Sequence, residues 1–322
     1  MDALYPAGAR AGTEIKVTGV GGFNPWPVEA WTPADGVEFK AEKDKGVFTV
    51  SIRPDVAPGA IPVRLFNEEG ASVLKSFMVG GWEELEEKEP NNTVKDAQPI
   101  KLLPVVINGR LEKRGDSDFF KVRLKQGRKL FGWVDAYGLG APIDCFLHVY
   151  DDRGLEVALA SESHNPDPRL MFPVERDGDY VLQVVAIDHP PSTSVSFTGS
   201  PKAVYRLSLS TQAPPAPSLP DAAPEGDLSV ALKPPVAIRG RLGRPGETDR
   251  FLLDVAKGAS WDIRVEAHRY QLPMDPVMSV FRPNGSLVRE VDDVRPSPDP
   301  WATDSDALQP GYPTTRLWPR RV

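Results

Sequence analysis

Oxygen-bearing side chains are concentrated in two short segments between Glu83 and Phe120. The first segment is a run of acids and amides around Pro90, and the second is a Gly-marked turn about one strand length further on. The candidate metal ligands in these segments are Glu87, Glu89, Asn91, Asn92, Asp116 and Asp118. If they converge, their charges repel one another unless a hard cation lies between them, and Ca²⁺ accepts about six to eight oxygen ligands. The alternative is a solvated acidic linker followed by an ordinary Asp turn.

Four motifs follow one another through this region and beyond it. They are E-x-E-P-N-N (Glu87 to Asn92), N-G-R-L (Asn108 to Leu111), G-D-S-D-F-F (Gly115 to Phe120) and D-G-D-Y (Asp177 to Tyr180). Together they resemble the bacterial pre-peptidase C-terminal domain, a small β-sandwich appended to secreted proteases and other exported proteins. The resemblance covers about residues 83–212.

The resemblance also implies a calcium site, because the related collagen-binding modules of clostridial collagenases hold calcium with the corresponding acidic segment. Matched residue by residue, the implied ligands are Glu87, Glu89, Asn91, Asn92 and Asp118, with Asp116 as a further candidate. The family usually has Asp where this chain has Asn92, which removes one charge and should weaken the site. The motifs identify a module and no reaction.

Composition predicts an all-β fold of tandem β-sandwiches. The chain has 322 residues with 27 Gly and 34 Pro, so proline is about twice as frequent as in average proteins. Proline at this density interrupts helices, and short apolar runs between Gly, Pro, Asp and Asn are typical of strands. The net charge of -7 disfavours nucleic acid and anionic membranes as partners, whereas an extracellular protein, a polysaccharide or cations stay open.

We expect a secreted, periplasmic or cell-surface protein, although this chain carries no signal peptide at its start. It also contains no 20-residue apolar span, so no membrane insertion is predicted. The single cysteine, Cys145, lies in an apolar run and is predicted to be a buried small hydrophobe. It cannot form an internal disulfide, which does not exclude export.

Residues 1–82 are predicted to form an immunoglobulin-like sandwich, because five runs between residues 13 and 79 alternate apolar and polar residues. The stretches YPAGARAGTEIKVTG (5–19) and APGAIPVRLFNEEGAS (57–72) resemble immunoglobulin-like domains of the IPT/TIG type. Trp26 and Trp31 are expected to cover the open end of its core; a binding platform is the alternative. Residues 83–211 are predicted to form a jelly-roll-like sandwich with eight short strands between Val105 and Ser210.

A Pro-rich linker is predicted at residues 212–224, followed by a second copy of the module at 225–322. Gly109-Arg110-Leu111 recurs as Gly240-Arg241-Leu242, and 240 minus 109 gives an offset of 131. The same offset relates further pairs: Asp118 and Asp249, Phe120 and Phe251, Gly127 and Gly258, Asp144 and Asp275, Gly154 and Gly285. A constant offset indicates a duplicated unit. The copy lacks E-P-N-N and ends early, so we expect it to be incomplete and without a strong calcium site.

No catalytic motif is found, and we predict a non-catalytic protein that binds or tethers. The sequence contains no G-x-S-x-G, H-E-x-x-H, P-loop or zinc-ligand spacing. Asp116 with Asp118, or Asp144 with Asp167, would be the acid pairs of a glycosidase, but turn or metal roles are favoured. Two alternatives remain: the accessory region of a larger secreted peptidase or other exported enzyme, and a carbohydrate-binding module. The latter requires exposed aromatics on one sheet face, and the candidates are Trp133, Tyr137, Tyr150 and Phe172.

Overall fold

The fold was analysed in a computed structural model. It describes residues 1–161, 167–190, 196–212 and 277–291, with shorter pieces at 231–233, 242, 247–256, 263 and 265. Met1–Pro214 belongs to one compact unit and Pro215–Val294 to another. Almost all regular structure in the described residues is β-strand, which confirms the predicted all-β class of tandem sandwiches. None of the described segments forms a helix with the length and apolar character needed to span a bilayer.

The first sandwich is built from nine strands. They are β1 (Ala3–Tyr5), β2 (Gly8–Arg10), β3 (Glu14–Val20), β4 (Glu29–Trp31), β5 (Val37–Ala41), β6 (Val47–Ile52), β7 (Gly59–Asn67), β8 (Gly70–Ala71) and β9 (Lys75–Gly80). One sheet has the order β1-β3-β6-β5 and the other the order β2-β9-β7-β4, with β8 paired to β7. The core lies between them because alternate strand residues share a face, as Phe48, Val50 and Ile52 do on β6.

Trp26 and Trp31 have different environments at one end of this sandwich. Trp26 packs edge-on against Phe48 with ring centroids 5.5 Å apart, and its indole N–H donates to Glu42 O at 3.1 Å. It therefore covers the core as expected. Trp31 is about half exposed, so the prediction that it also covers the core is wrong. The reason is its place on the short strand β4, where its side chain faces outward.

The second sandwich contains ten strands and one 3₁₀ turn. They are β10 (Glu83–Glu86), β11 (Gln98–Ile100), β12 (Val105–Arg110), β13 (Asp118–Leu124), β14 (Lys129–Asp135), the turn Tyr137–Leu139, β15 (Ile143–Tyr150), β16 (Glu156–Ala160), β17 (Arg169–Pro173), β18 (Gly178–Asp188) and β19 (Val204–Ser210). All eight strands predicted between Val105 and Ser210 are found. Cys145 on β15 is fully buried in the core, as expected.

Two five-stranded sheets enclose this core. One has the order β10-β12-β19-β14-β17 and the other the order β11-β13-β18-β15-β16. The edge strands β10 and β11 run parallel to β12 and β13, whereas the remaining neighbours are antiparallel. The parallel edges bring the chain that leaves β10 to the point where β13 begins. Both oxygen-rich segments of the sequence lie at that corner.

A short hairpin is described in the second unit, formed by β20 (Met278–Phe281) and β21 (Leu287–Val291). Its register repeats that of β15 and β16 at the offset of 131, since Met278 pairs with Val291 as Leu147 pairs with Ala160. Both hairpins also have a bulge at the equivalent place, between Val149 and Tyr150 in the first and between Val280 and Phe281 in the second. The predicted linker from residue 213 onward and most of the predicted second copy, including its tail, lie outside the described residues.

Candidate metal centre

Backbone pairing brings the two oxygen-rich segments together. The acidic segment, which we define as residues 87–92, continues directly from β10, and Asn91 O accepts a hydrogen bond from Phe119 N at 2.9 Å. Phe119 is the second residue of β13, so Asp118 lies beside Asn91. A local turn positions Asp116, because its Oδ2 accepts a hydrogen bond from the backbone N–H of Glu112 at 2.6 Å.

Three carboxylates converge at this corner. Glu89, Asp116 and Asp118 each offer one oxygen, and these atoms lie within 4.8 Å of one another. Glu89 is exposed, whereas Asp116 and Asp118 are buried. The arrangement thus has one open side towards solvent and two acids on the protein side.

Several buried oxygens at the corner are left without hydrogen-bond donors. Within the described chain, Asn91 Oδ1, Asp116 Oδ1 and Asp118 Oδ1 have no hydrogen-bond partner. An unsatisfied buried polar group costs free energy, and for a charged group the cost is larger. Oxygens in this state are acceptors that a cation would satisfy.

The residues fit Ca²⁺ by spacing and by chemistry. Calcium–oxygen distances are about 2.3–2.6 Å, so two oxygens on one ion are at most about 5 Å apart. The separation of 4.8 Å or less among the three carboxylate oxygens meets this limit. The donor set contains only oxygen, which suits a hard cation and does not suit zinc or copper.

Glu87 and Tyr205 are joined by hydrogen bonds to Asp118, one of the three carboxylates. Tyr205 on β19 donates its hydroxyl to Asp118 Oδ2 at 2.6 Å and lies 3.3 Å from Glu87 Oε2. Glu87 Oε1 accepts the N–H of Arg110 at 2.7 Å. Burial, followed by the nearby charge of Asp118, raises the pKa of Glu87 well above its usual range. Burial also raises the pKa of Asp118.

The six predicted ligands therefore take different places. Glu89, Asp116 and Asp118 form the carboxylate group, and Asn91 is buried next to it. Glu87 is directed to Arg110 and Tyr205 instead. Asn92 donates its side-chain N–H to Glu89 Oε2 at 3.0 Å, which also accepts Asn91 N at 3.0 Å, so Asn92 orients Glu89.

Tyr205 is the residue of this site that sequence reasoning missed. It lies on a regular strand about ninety residues beyond the acids, with no local motif around it. One signal was available in the N-G-R-L motif. A Cβ added to Gly109 would lie 2.1 Å from the Tyr205 ring, so this position on β12 must lack a side chain.

Asp167, one acid of the Asp144 and Asp167 pair considered for glycosidase chemistry, has a structural role. Asp167 is buried and accepts the N–H groups of Ala136, Tyr137 and Gly138 at 2.7–2.9 Å, which holds the 3₁₀ turn. Asp144 is a buried residue near the start of β15. Among the histidines, His148 Nδ1 contacts Glu156 Oε2 at 2.7 Å, and His189 packs edge-on against Tyr137. His164 and His268 lie outside the described residues.

The four aromatic residues considered for carbohydrate binding do not share one exposed face. Phe172 lies in the core, and Trp133 packs against Trp82 with ring centroids 5.4 Å apart. Tyr150 is on the outer face of the opposite sheet, where its hydroxyl donates to Gln183 Oε1 at 2.8 Å. Tyr137 is on the 3₁₀ turn.

Comparisons with known proteins give partial likenesses. No family model matches the sequence, and a search of curated proteins finds no match. Among solved structures, a pre-peptidase C-terminal domain of a collagenase from Bacillus anthracis is 16% identical with a TM-score of 0.26, covering 38% of this chain and 98% of that chain. A carbohydrate-binding module of the β-sandwich superfamily is 11% identical with a TM-score of 0.20, covering 65% and 94%. The secreted serine protease VesC from Vibrio cholerae is 13% identical with a TM-score of 0.23, covering 63% and 47%.

Proposed function

We propose that residues 83–211 form a non-catalytic binding or tethering module of the pre-peptidase C-terminal type, stabilised by a structural calcium ion. The observation that carries the proposal is the convergence of Glu89, Asp116 and Asp118 within 4.8 Å, beside buried oxygens that lack donors. The ligands would be these three carboxylates with Asn91. Glu87 and Asn92, also predicted as ligands, support the site through hydrogen bonds.

The residues around the site connect it to the first sandwich. A bound calcium ion would place two positive charges among the three acids and so reduce their mutual repulsion. It would also join the acidic segment to the turn at residues 115–118. The acidic segment continues β10, on which Glu84 forms a 2.6 Å ion pair with Arg206. Arg206 also donates to Met78 O of the first sandwich at 2.9 Å. Fixing the acidic segment therefore fixes the strand that leads from one sandwich to the next.

The wider organisation follows from the same reasoning. Residues 1–82 would be an immunoglobulin-like domain of the IPT/TIG type, and 225–322 an incomplete second copy of the module. Support for the second copy comes from the hairpin β20–β21, which repeats β15–β16 at the constant offset. The protein would be exported, to the periplasm, the cell surface or the medium. Its partner would be an extracellular protein, a polysaccharide or its own parent polypeptide.

Calcium titration of the full chain tests the proposed site. We expect heat on titration with CaCl₂ and a higher melting temperature in calcium than in EDTA. A ligand bound only by the folded state at about 100 times its Kd adds about 2.7 kcal/mol of stability. Glu89→Gln and Asp118→Asn should each weaken binding by about tenfold or more, because each removes one charged ligand.

Asp152→Asn is the matched control, since it makes the same charge change at an exposed turn of the same sandwich. It should leave the calcium affinity unchanged. Wild-type protein that gives neither heat nor a melting shift would refute the calcium site and leave a plain β-scaffold. Equal loss of binding in Asp152→Asn would show a general effect of surface charge.

A further inference from the structure

A side chain of the first sandwich, Tyr5, reaches the part of β12 that lies beside the candidate metal centre. Tyr5 is the last residue of β1 and packs, partly buried, against the core of the second sandwich. Its hydroxyl donates to Asn108 O at 3.3 Å, and Arg110 Cζ lies over its ring, 4.8 Å from the ring centroid. This second distance is within the range of a cation–π contact. We call these two interactions the Tyr5 contact.

The bond to Asn108 leads to the acidic segment. Asn108 O accepts the backbone N–H of Glu87 at 3.0 Å as well as the Tyr5 hydroxyl. The side chain of Glu87 is held by the same strand, because its Oε1 accepts the N–H of Arg110 at 2.7 Å. Glu87 is the first residue of the acidic segment, and no helix or strand follows it until β11. The place where this segment leaves β10 therefore depends on the residues of β12 that Tyr5 covers.

The packing on Arg110 leads to the turn that carries Asp116. Arg110 Nη2 donates to Glu112 Oε1 at 2.6 Å, and the backbone N–H of Glu112 donates to Asp116 Oδ2, also at 2.6 Å. A guanidinium that packs on an aromatic ring is held in one orientation, and it holds its carboxylate partner with it. The Tyr5 contact is thus connected to both segments whose carboxylates converge.

Holding these two segments matters most before an ion binds. Glu89, Asp116 and Asp118 bring oxygens within 4.8 Å of one another, and like charges at this distance repel. Contacts that keep the segments in place reduce the free energy that must be spent on ordering them when the ion binds. Such contacts raise the affinity for the ion without touching it.

We propose that Tyr5 is a positioning residue of the calcium site, through which the first sandwich strengthens calcium binding by the second. This inference rests on the calcium site proposed above. Linkage is reciprocal, so calcium strengthens the Tyr5 contact by the same factor by which the Tyr5 contact strengthens calcium binding. The bound ion would therefore also stiffen the connection between the two sandwiches.

Calorimetric titration of the full chain with CaCl₂ tests the positioning role. Tyr5→Leu removes the hydroxyl and the ring, and we expect it to weaken calcium binding about five- to tenfold. Tyr5→Phe keeps the ring under Arg110 and loses only one hydrogen bond, so the loss should be smaller, about two- to threefold.

Phe39→Leu is the matched control, because it also removes a ring from the first sandwich. Phe39 is on β5, at the opposite edge of the sheet from β1, and packs against Phe77 with ring centroids 5.2 Å apart. The variant should lower the melting temperature and leave the calcium affinity of the folded protein unchanged.

Hydrogen exchange tests the same connection with and without calcium. In EDTA, Tyr5→Leu should raise amide exchange in residues 87–92 several-fold, because the part of β12 that holds Glu87 loses its cover, whereas Phe39→Leu should not. In wild-type protein, calcium should slow exchange in β1 more than in β5. This difference should disappear in Tyr5→Leu.

The outcomes separate this inference from the calcium site itself. Wild-type protein that binds no calcium would refute the site and the inference together. Calcium binding by wild type, with equal affinity in Tyr5→Leu, would overturn only the role of Tyr5. An equal loss of affinity in Phe39→Leu would overturn it too, because it would show a general effect of a weakened first sandwich. Should Tyr5→Leu fail to fold, wild-type calcium affinity in Tyr5→Phe would overturn the proposal.

Discussion

At the scale of single residues, the candidate metal centre depends on one close approach between two strands. Tyr205 reaches Asp118 only because Gly109 on β12 has no side chain. The two residues face each other in the β12–β19 ladder, where Gly109 pairs with Tyr205. The glycine of the N-G-R-L motif therefore acts through space on the acid of the G-D-S-D motif.

Gly109→Ala should destabilise the second sandwich by about 1–3 kcal/mol, the usual cost of overpacking a core. The new Cβ would displace the Tyr205 ring, and Asp118 would lose its donor, so calcium affinity should also fall. Urea unfolding and calcium titration measure the two effects. Gly178→Ala is the control, because its Cβ would meet Asp152 at an ordinary 3.6 Å. Equal unfolding midpoints for the two variants would contradict the steric role of Gly109.

At the scale of elements, the sequence predicts long strands well and short ones poorly. The runs that became β12 to β19 are five or more residues long and lie between turn residues, which is enough to mark a strand. By contrast, three residues each make up β1, β2, β4 and β11. These short strands form because they pair with a longer neighbouring strand. Parallel pairing of β10 with β12 and of β11 with β13 has no local signature at all.

The candidate site divides in the same way. Glu89, Asp116 and Asp118 were predicted as ligands because sequence motifs mark them. The structure then brings one oxygen of each close together. The environment of Glu87 was not predictable, because it depends on Arg110 N and on Tyr205, which tertiary packing brings to it. Sequence spacing indicates which residues approach one corner, whereas strand pairing determines which atoms face each other.

Asp167 fixes the element that connects β14 to β15, and it predicts a pH effect. Burial, with the nearby charge of Asp135, raises the pKa of Asp167 to about 7, although three backbone N–H groups oppose the shift. Unfolded Asp titrates near pH 4. Between about pH 4 and pH 7 the folded chain holds a proton that the unfolded chain releases, so this residue lowers the free energy of unfolding as pH rises.

Asp167→Asn should remove this slope, so the stability of the variant relative to wild type should rise between about pH 4 and pH 8. Urea unfolding in EDTA across this range measures the difference, in which the titration of acids remote from Asp167 cancels. Asp177 gives the opposite sign, because its bond to Lys125 lowers its pKa and its contribution is lost at low pH. Parallel curves for Asp167→Asn and wild type would contradict the raised pKa.

At the scale of the whole molecule, the two sandwiches of the first unit are packed against each other as well as joined in sequence. Ala3 and Ala7 of the first sandwich lie in the core of the second. A buried polar group also joins the two sandwiches: Arg206 donates hydrogen bonds to Glu84 Oε1 and to Met78 O, and we call these three residues the polar joint. Glu84 Oε2 in turn accepts Asn108 Nδ2 at 2.7 Å. Removing one partner of such a buried pair typically costs about 3–5 kcal/mol.

Gly8 on β2 makes room for this joint, because its Cβ would lie 1.4 Å from Arg206 Nη1. Gly8→Ala must therefore displace the guanidinium, leave Glu84 without its cation and loosen β10. We expect amide hydrogen exchange in Glu83–Glu86 to rise about tenfold or more, with the same rise in Arg206→Met, which removes the charge without touching β2. Gly81→Ala is the control, since its Cβ would meet Pro58 at 3.9 Å. Unchanged hydrogen exchange of β10 in both Gly8→Ala and Arg206→Met would show that β10 is held in place by the second sandwich alone.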